Sequence, residues 1–174
     1  MKFLLLLYLI VFNLLGAEIV DTKLKTKAEL EAIERHAIVF GTGDATKVYV
    51  FVDPLCRYSR ALMKKIYENK MLQLSNTYYI FLYRLPRIES EKTMHYILES
   101  SNPKEALIEV MIDEEIIDTD SVKAKPSTLK ALKEIAKVGA TLDMTQRPYM
   151  ISFDKESKYC RVSEGSASCL EEFE

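Results

Sequence analysis

Two long and mostly apolar runs dominate the hydrophobic pattern of the chain. Residues 47–52 are rich in β-branched and aromatic side chains, and residues 78–85 repeat this character before Pro86. Runs of this length and composition are typical of strands that are buried on both faces of a sheet. A shorter run at 37–40, which ends at the turn signal Gly41-Thr42-Gly43-Asp44, predicts another strand.

Apolar residues at helical spacing fill the segments between these runs. They predict a helix over 22–35 and another over 60–70. The region of about 89–139 is predicted to be helical throughout, with one helix over 91–99. A second helix is expected to open at Asn102-Pro103, and a third is expected to run from Lys125-Pro126 to Gly139.

The C-terminal part of the pattern returns to strands. Residues 149–153 and 158–162 predict two strands joined by a turn, and residues 169–173 predict a short closing helix. Strands that alternate with helical segments in this order favour an α/β domain. We therefore expect a mixed central sheet with a helical insertion at about 89–139.

The first 17 residues have the features of a secretory signal peptide. Lys2 precedes an unbroken apolar run over 3–12, and Leu15-Gly16-Ala17 ends in small residues. A buried N-terminal helix or a membrane anchor is the alternative, although a span needs about 20 apolar residues. We expect export, an N-terminal extension over 18–35 that contains the helix at 22–35, and one domain over 36–174.

Charge and residue types exclude several classes of function. The net charge of −2 shows no basic excess, which argues against nucleic acid as a partner. His36 and His95 lack neighbours at ligand spacing, so we expect no metal, and the absence of a glycine-rich phosphate loop argues against a nucleotide cofactor. We expect no cofactor, and no membrane association once the signal is cleaved.

The chain contains three cysteines, Cys56, Cys160 and Cys169. Disulfides persist in oxidising compartments, and an odd count leaves one thiol free after any single bridge. A structural disulfide between Cys160 and Cys169 is the pairing we favour, because these two cysteines are near neighbours in sequence. A bridge from Cys56 to either of them stays open at this stage.

Cys56 follows a predicted buried strand and precedes a predicted helix. A helix N-terminus offers free N–H groups and a positive dipole end, which favour the thiolate of a nearby cysteine. The thiolate is the nucleophile of disulfide exchange. The alternative is an inert thiol, because free cysteines are often buried.

The string Phe51-Val52-Asp53-Pro54-Leu55-Cys56-Arg57-Tyr58-Ser59 resembles the active site of thioredoxin-fold, Dsb-type periplasmic thiol-disulfide proteins of the DsbC and DsbG type. The resemblance covers about residues 29–173 and implies a thioredoxin-like fold. It implies that Cys56 is the attacking cysteine, that Arg57 and Ser59 belong to the active-site motif, and that Pro148 is the cis-proline. Tyr58, Arg147 and Pro148 are then expected to bind substrate.

The sequence departs from this family at three points. Ser59 stands where the family has a resolving cysteine, so Cys56 can form mixed disulfides but cannot close a local bridge. Arg147 stands where the family usually has threonine, which would place a cation beside the thiol or shield it. The N-terminal extension is too short for the family's dimerisation domain, so we expect a monomer or an unrelated dimer and favour the monomer.

These observations favour an exported thiol-disulfide exchange protein, of the isomerase or reductase type, that acts in the periplasm through one cysteine. Its expected partners are unfolded or misfolded secreted proteins and a thiol reductase that recycles it. A redox-inactive, thioredoxin-fold peptide-binding module or chaperone is the alternative.

Overall fold

The computed structural model describes residues 25–154 and 159–162, with side chains described over 25–152. The chain divides into two compact units, Met1–Ala32 and Ile33–Glu174. In the first unit, residues 25–32 are helical. The second unit contains the 3₁₀ turn Glu34–His36, the sheet and the candidate site.

A five-stranded mixed sheet forms the centre of the second unit. Its order is β1-β3-β2-β4-β5; β2 and β3 are parallel, and the other neighbouring pairs are antiparallel. The predicted mixed central sheet is therefore confirmed. The strands are β1 (Ile38–Phe40), β2 (Thr46–Val52), β3 (Asn76–Leu82), β4 (Tyr149–Asp154) and β5 (Tyr159–Val162).

Five α-helices surround this sheet in the described part of the second unit. Two of them connect β2 to β3, which is the crossover that a parallel pair requires. The other three lie between β3 and β4. The helices are α1 (Arg57–Glu68), α2 (Lys70–Ser75), α3 (Glu91–Glu99), α4 (Pro103–Met111) and α5 (Pro126–Thr141).

The core explains why the two central runs lack polar residues. Along β2 only Lys47 is exposed, because both faces of the strand are covered. One face packs on α1, α3 and α4 through residues such as Val50, Met63 and Leu107. On the other face Tyr49 and Phe51 stack against the rings of β3, with Phe51 4.9 Å from Phe81 between ring centroids.

Three predicted boundaries differ from the structure. Helix α1 begins at Arg57, directly after Cys56, whereas the sequence predicted a start at Arg60. A separate helix, α2, follows it. The second buried strand covers 76–82 instead of 78–85. Residues 112–125 contain no helix, although the region was predicted to be helical throughout. Clustered acidic residues and a left-handed Glu114, with φ of 56°, account for that loop.

Several sequence predictions fall outside the described residues. They are the signal peptide at 1–17, the start of the helix at 22–35, and the closing helix at 169–173. Among the residues that the structure describes, no helix is both long enough and apolar enough to cross a bilayer.

Candidate functional site

The candidate site lies where β2 ends and α1 begins. Asp53, Pro54 and Leu55 connect the two elements, and Cys56 takes the N-cap position with an extended backbone, at φ −79° and ψ 121°. The Cys56 N–H donates to the Asp53 carbonyl at 3.0 Å, and its own carbonyl accepts from Arg60 N–H at 3.0 Å. This local fold places the cysteine at the positive end of the α1 dipole.

The Cys56 side chain is a free thiol in a mostly buried position. Only 6% of the residue is exposed, so little of the thiol is accessible to solvent. The thiol faces the β4 side of the site, where Sγ donates to the Arg147 carbonyl oxygen at 3.8 Å. Cys56 nevertheless lines an open groove of about 990 Å³.

Ser59, three residues along α1, is fully buried. Its hydroxyl oxygen accepts a hydrogen bond from the Asp53 backbone N–H at 3.2 Å. The serine therefore has a structural contact at the end of β2, and it does not line the groove that contains Cys56.

Asp53 joins three parts of the site. Its Oδ1 accepts from Leu55 N–H at 3.0 Å, while Oδ2 accepts from Leu85 N–H at 2.6 Å and from the Ser90 hydroxyl at 2.8 Å. The carboxylate is completely buried, and these hydrogen bonds compensate the cost of that burial. Asp53 thus fixes the loop before α1 against the segment that precedes α3.

Arg147 lies opposite the cysteine and precedes Pro148 through a cis peptide bond, as the resemblance implies. Its guanidinium donates to the carbonyl oxygens of Tyr83 at 3.1 Å and of Met144 at 3.1 Å. It also donates to those of Gln146 and Arg84, and its Cζ lies 3.5 Å from the centroid of the Tyr83 ring.

The structure shows which part of Arg147 contacts the thiol. Burial lowers the pKa of its guanidinium, although nearby Asp53 and Cys56 oppose that shift. The Arg147 backbone carbonyl accepts the hydrogen bond of the thiol, whereas the guanidinium lies against Tyr83. Hydrogen bonds to backbone carbonyls hold the side chain in place there.

Three segments, 55–58, 85–88 and 145–147, form the walls of the groove. Leu55 and Tyr58 project from the α1 side and are 38% and 53% exposed. Arg57 donates to the Tyr58 hydroxyl at 2.6 Å and stacks on its ring. The groove is lined by Leu55, Cys56, Arg57, Tyr58, Leu85, Pro86, Arg87, Ile88, Thr145, Gln146 and Arg147.

A second cavity of about 600 Å³ adjoins the groove and shares Pro86, Thr145 and Arg147 with it. Apolar side chains of the helical insertion, among them Met94 and Leu132, form much of its wall.

The structure brings together Cys56, Arg57, Tyr58 and Arg147 of the residues that the sequence singled out. Pro148 is buried next to them, and Ser59 lies behind the groove. Cys160 lies on β5, where only the backbone is described, and Cys169 lies outside the described residues, so their predicted disulfide stays a prediction.

Sequence reasoning missed the wall formed by Leu85, Pro86, Arg87 and Ile88. The one signal for it was Pro86 directly after a buried run, which marks a loop at the same sheet edge as the end of β2. Within 25–152, no three His, Cys, Asp or Glu side chains are grouped so that they could hold a metal ion.

Comparison with known proteins identifies the fold. The chain is similar to a linker-deletion variant of ScsC from Proteus mirabilis, with a TM-score of 0.62 and 19% identity over 91% of this chain and 83% of that one. It is similar to a disulfide interchange protein from Neisseria gonorrhoeae, with a TM-score of 0.59 and 17% identity over 80% and 94%. For DsbA2 of Pseudomonas aeruginosa the values are 0.59 and 9% over 78% and 93%.

No protein-family model and no curated protein sequence matches the chain. At these identities the structural similarity establishes the thioredoxin-like fold that the sequence predicted, and it establishes the fold alone.

Proposed function

We propose that this protein is an exported thiol-disulfide exchange protein, of the isomerase or reductase type, with Cys56 as its single catalytic thiol. The observation that supports this most strongly is the position of the sulfur. Cys56 occupies the N-terminus of α1, lines an open groove and faces the Arg147 carbonyl at 3.8 Å. A helix N-terminus stabilises the thiolate that attacks disulfides.

The proposed reaction begins with attack by the Cys56 thiolate on one sulfur of a substrate disulfide. A new bond forms between Cys56 and that sulfur, the substrate disulfide breaks, and the other sulfur leaves as a thiolate that takes a proton from solvent. Cys56 is oxidised to a mixed disulfide, and half of the substrate is reduced.

Release of the substrate then requires another thiol, because Ser59 cannot resolve the mixed disulfide. A hydroxyl is a poor nucleophile toward sulfur, and that of Ser59 is already bonded to the Asp53 N–H. A second cysteine of the substrate would complete an isomerisation, whereas an external thiol would complete a reduction.

The groove is suited to an extended segment of an unfolded protein. Exposed Leu55 and Tyr58 offer apolar contacts beside Cys56, and residues 85–88 and 145–147 also line the groove. We propose unfolded or misfolded secreted proteins as substrates, a thiol reductase as the recycling partner, and the periplasm as the location. Assignment to the DsbC and DsbG branch, and a monomeric state, stay predictions.

A binding module without redox activity is the second candidate, favoured by two observations. Cys56 is only 6% exposed, and the position that would hold a resolving cysteine is a serine. In that case the groove would hold peptides without covalent capture.

Insulin reduction with glutathione as the resolving thiol separates these candidates. Cys56→Ala should lower the rate to that of glutathione alone, while the Cys160→Ala/Cys169→Ala variant should keep the wild-type rate, which would assign the activity to Cys56. A rate above that of glutathione alone with Cys56→Ala would contradict the proposal. If wild type and Cys56→Ala are equally inactive and suppress aggregation equally well, the protein is a binding module.

A further inference from the structure

The groove around Cys56 has a charge that contrasts with the rest of the chain. The chain contains 26 acidic and 24 basic residues, yet the lining of the groove includes three arginines and no Asp or Glu. These arginines are Arg57, Arg87 and Arg147. A cleft lined by one sign of charge concentrates ligands of the opposite sign.

Two of these arginines are available to a ligand. Arg57 and Arg87 are exposed, and neither forms an ion pair with any residue of the described part of the chain. Arg35 and Arg60, in contrast, pair with Glu134 and Glu114. Contact with Tyr58 holds the Arg57 side chain at the rim of the groove.

The third arginine, Arg147, lines the groove from a buried position. Arg147 is 5% exposed and hydrogen-bonds to backbone carbonyls rather than to a carboxylate. Acidic groups lie near the groove: the Asp53 carboxylate is buried and acts on Arg147, Glu91 lines the neighbouring cavity, and Glu89 directly follows Ile88. The positive charge that the groove offers to a ligand is therefore mainly that of the exposed Arg57 and Arg87.

We propose that the groove selects disulfides whose cysteine is flanked by aspartate or glutamate in an extended peptide, with Arg57 and Arg87 binding those carboxylates. This inference rests on the proposed function, since it concerns the substrates that Cys56 attacks. Arginine is well suited to this role because its planar group pairs with a carboxylate through two hydrogen bonds. Opposite charges also raise the rate of encounter with Cys56.

Three synthetic peptides test this inference. Each carries one cysteine as a 2-pyridyl disulfide, and the residues on both sides of that cysteine are Asp, Gln or Lys. Attack by Cys56 on the peptide sulfur joins the two chains and releases pyridine-2-thione, which keeps the electron pair of the broken bond and binds a proton. Absorbance reports the rate, and mass spectrometry identifies the adduct on Cys56.

We expect the Asp peptide to react at least about tenfold faster than the Lys peptide at low ionic strength. This ratio should fall as salt is added. It should also fall to about twofold in the Arg57→Gln/Arg87→Gln variant. The Lys123→Gln/Lys133→Gln variant, which removes the same charge at two exposed positions outside the groove, should keep the wild-type ratio.

The possible failures are distinguishable. If all three peptides modify Cys56 at equal rates, the charge selection is wrong and the proposed function stands. If the ratio persists in the Arg57→Gln/Arg87→Gln variant, its assignment to these two arginines is wrong. If no peptide modifies Cys56, the proposed function and this inference both fail.

Discussion

Ser59 accepts a hydrogen bond from the backbone N–H of Asp53, with 3.2 Å between Oγ and N. The serine three residues after Cys56 thus contributes to the structure of the β2–α1 junction. Under the proposed function, the same residue limits Cys56 to mixed disulfides with other molecules.

Restoring a second thiol should change the chemistry of the site. We expect Ser59→Cys to form a disulfide with Cys56, because the two positions are three residues apart in the first turn of α1. Loss of the serine hydroxyl should cost about 1 kcal/mol of unfolding free energy in the reduced protein. Mass spectrometry after alkylation should show both thiols protected until a reductant is added. The Ser59→Ala control should lose the same amount of unfolding free energy but form no disulfide. Alkylation of both thiols in the oxidised variant would contradict this prediction.

The buried carboxylate of Asp53 should be a major source of local stability. Asp53→Ala would leave Leu55 N–H, Leu85 N–H and the Ser90 hydroxyl without their acceptor. We expect a loss of about 3 kcal/mol or more in the free energy of unfolding. Urea denaturation measures it, with exposed Asp113→Asn as the control, expected to stay within about 0.5 kcal/mol of wild type. A similarly small effect of Asp53→Ala would show that these hydrogen bonds contribute little.

The contact of α5 with the site depends on the absence of a side chain at Gly139. A methyl group there would overlap the Tyr83 ring, whose Cζ would be 2.6 Å away. Tyr83 in turn stacks under the Arg147 guanidinium. Gly139→Ala should therefore lower the unfolding free energy by about 1 kcal/mol, because the overlap costs more than the gain in helix propensity.

Thermal or urea unfolding checks this effect against Lys137→Ala, an exposed position on the same helix. The control should be close to wild type. A Gly139→Ala protein that is more stable than wild type would show that the Tyr83 ring moves aside without cost.

Acid should weaken the helical insertion through Glu99. Hydrogen bonds from Lys125 and Thr128 lower the pKa of this carboxylate from 4.5 to about 2, and they tie the end of α3 to the start of α5. A lowered pKa in the folded state stabilises the protein above 4.5, and this contribution is lost as the pH falls toward 2. The stability difference between wild type and Glu99→Gln should therefore shrink over that range.

Urea denaturation at several pH values measures this difference. Thr128→Val should reduce the acid sensitivity because it removes one of the hydrogen bonds that lower the Glu99 pKa. Lys123→Met, an exposed change in the loop before Lys125, should leave it as in wild type. A constant difference between wild type and Glu99→Gln at all pH values would contradict the role given to Glu99.

The sequence predicted the mixed sheet because the burial of β2 and β3 on both faces leaves a direct trace in their composition. The end of the apolar run of β2 also allowed the sequence to place Cys56 at a strand-to-helix junction. The helix boundaries were harder to predict. The start of α1 at Arg57 depends on the extended backbone of Cys56, and no capping side chain marks this position in the sequence.

The site itself was predicted only in part, because its contacts join residues that are far apart in sequence. Nothing local to Arg147 indicated that its guanidinium would stack on Tyr83 and leave the backbone carbonyl facing Cys56. Burial of the thiol also depends on how closely residues 145–147 approach the start of α1, which no periodicity encodes.

Time-resolved alkylation of Cys56 in the folded protein at neutral pH tests the central claim most directly. The peptide Asp53–Ser59 serves as the reference, since it carries the same thiol without the helix or the groove. We predict that Cys56 is labelled in the folded protein without denaturant, because it lies at the start of α1 and lines an open groove. Labelling that occurs only after denaturation would show that the sulfur is sealed in the interior and would contradict the account.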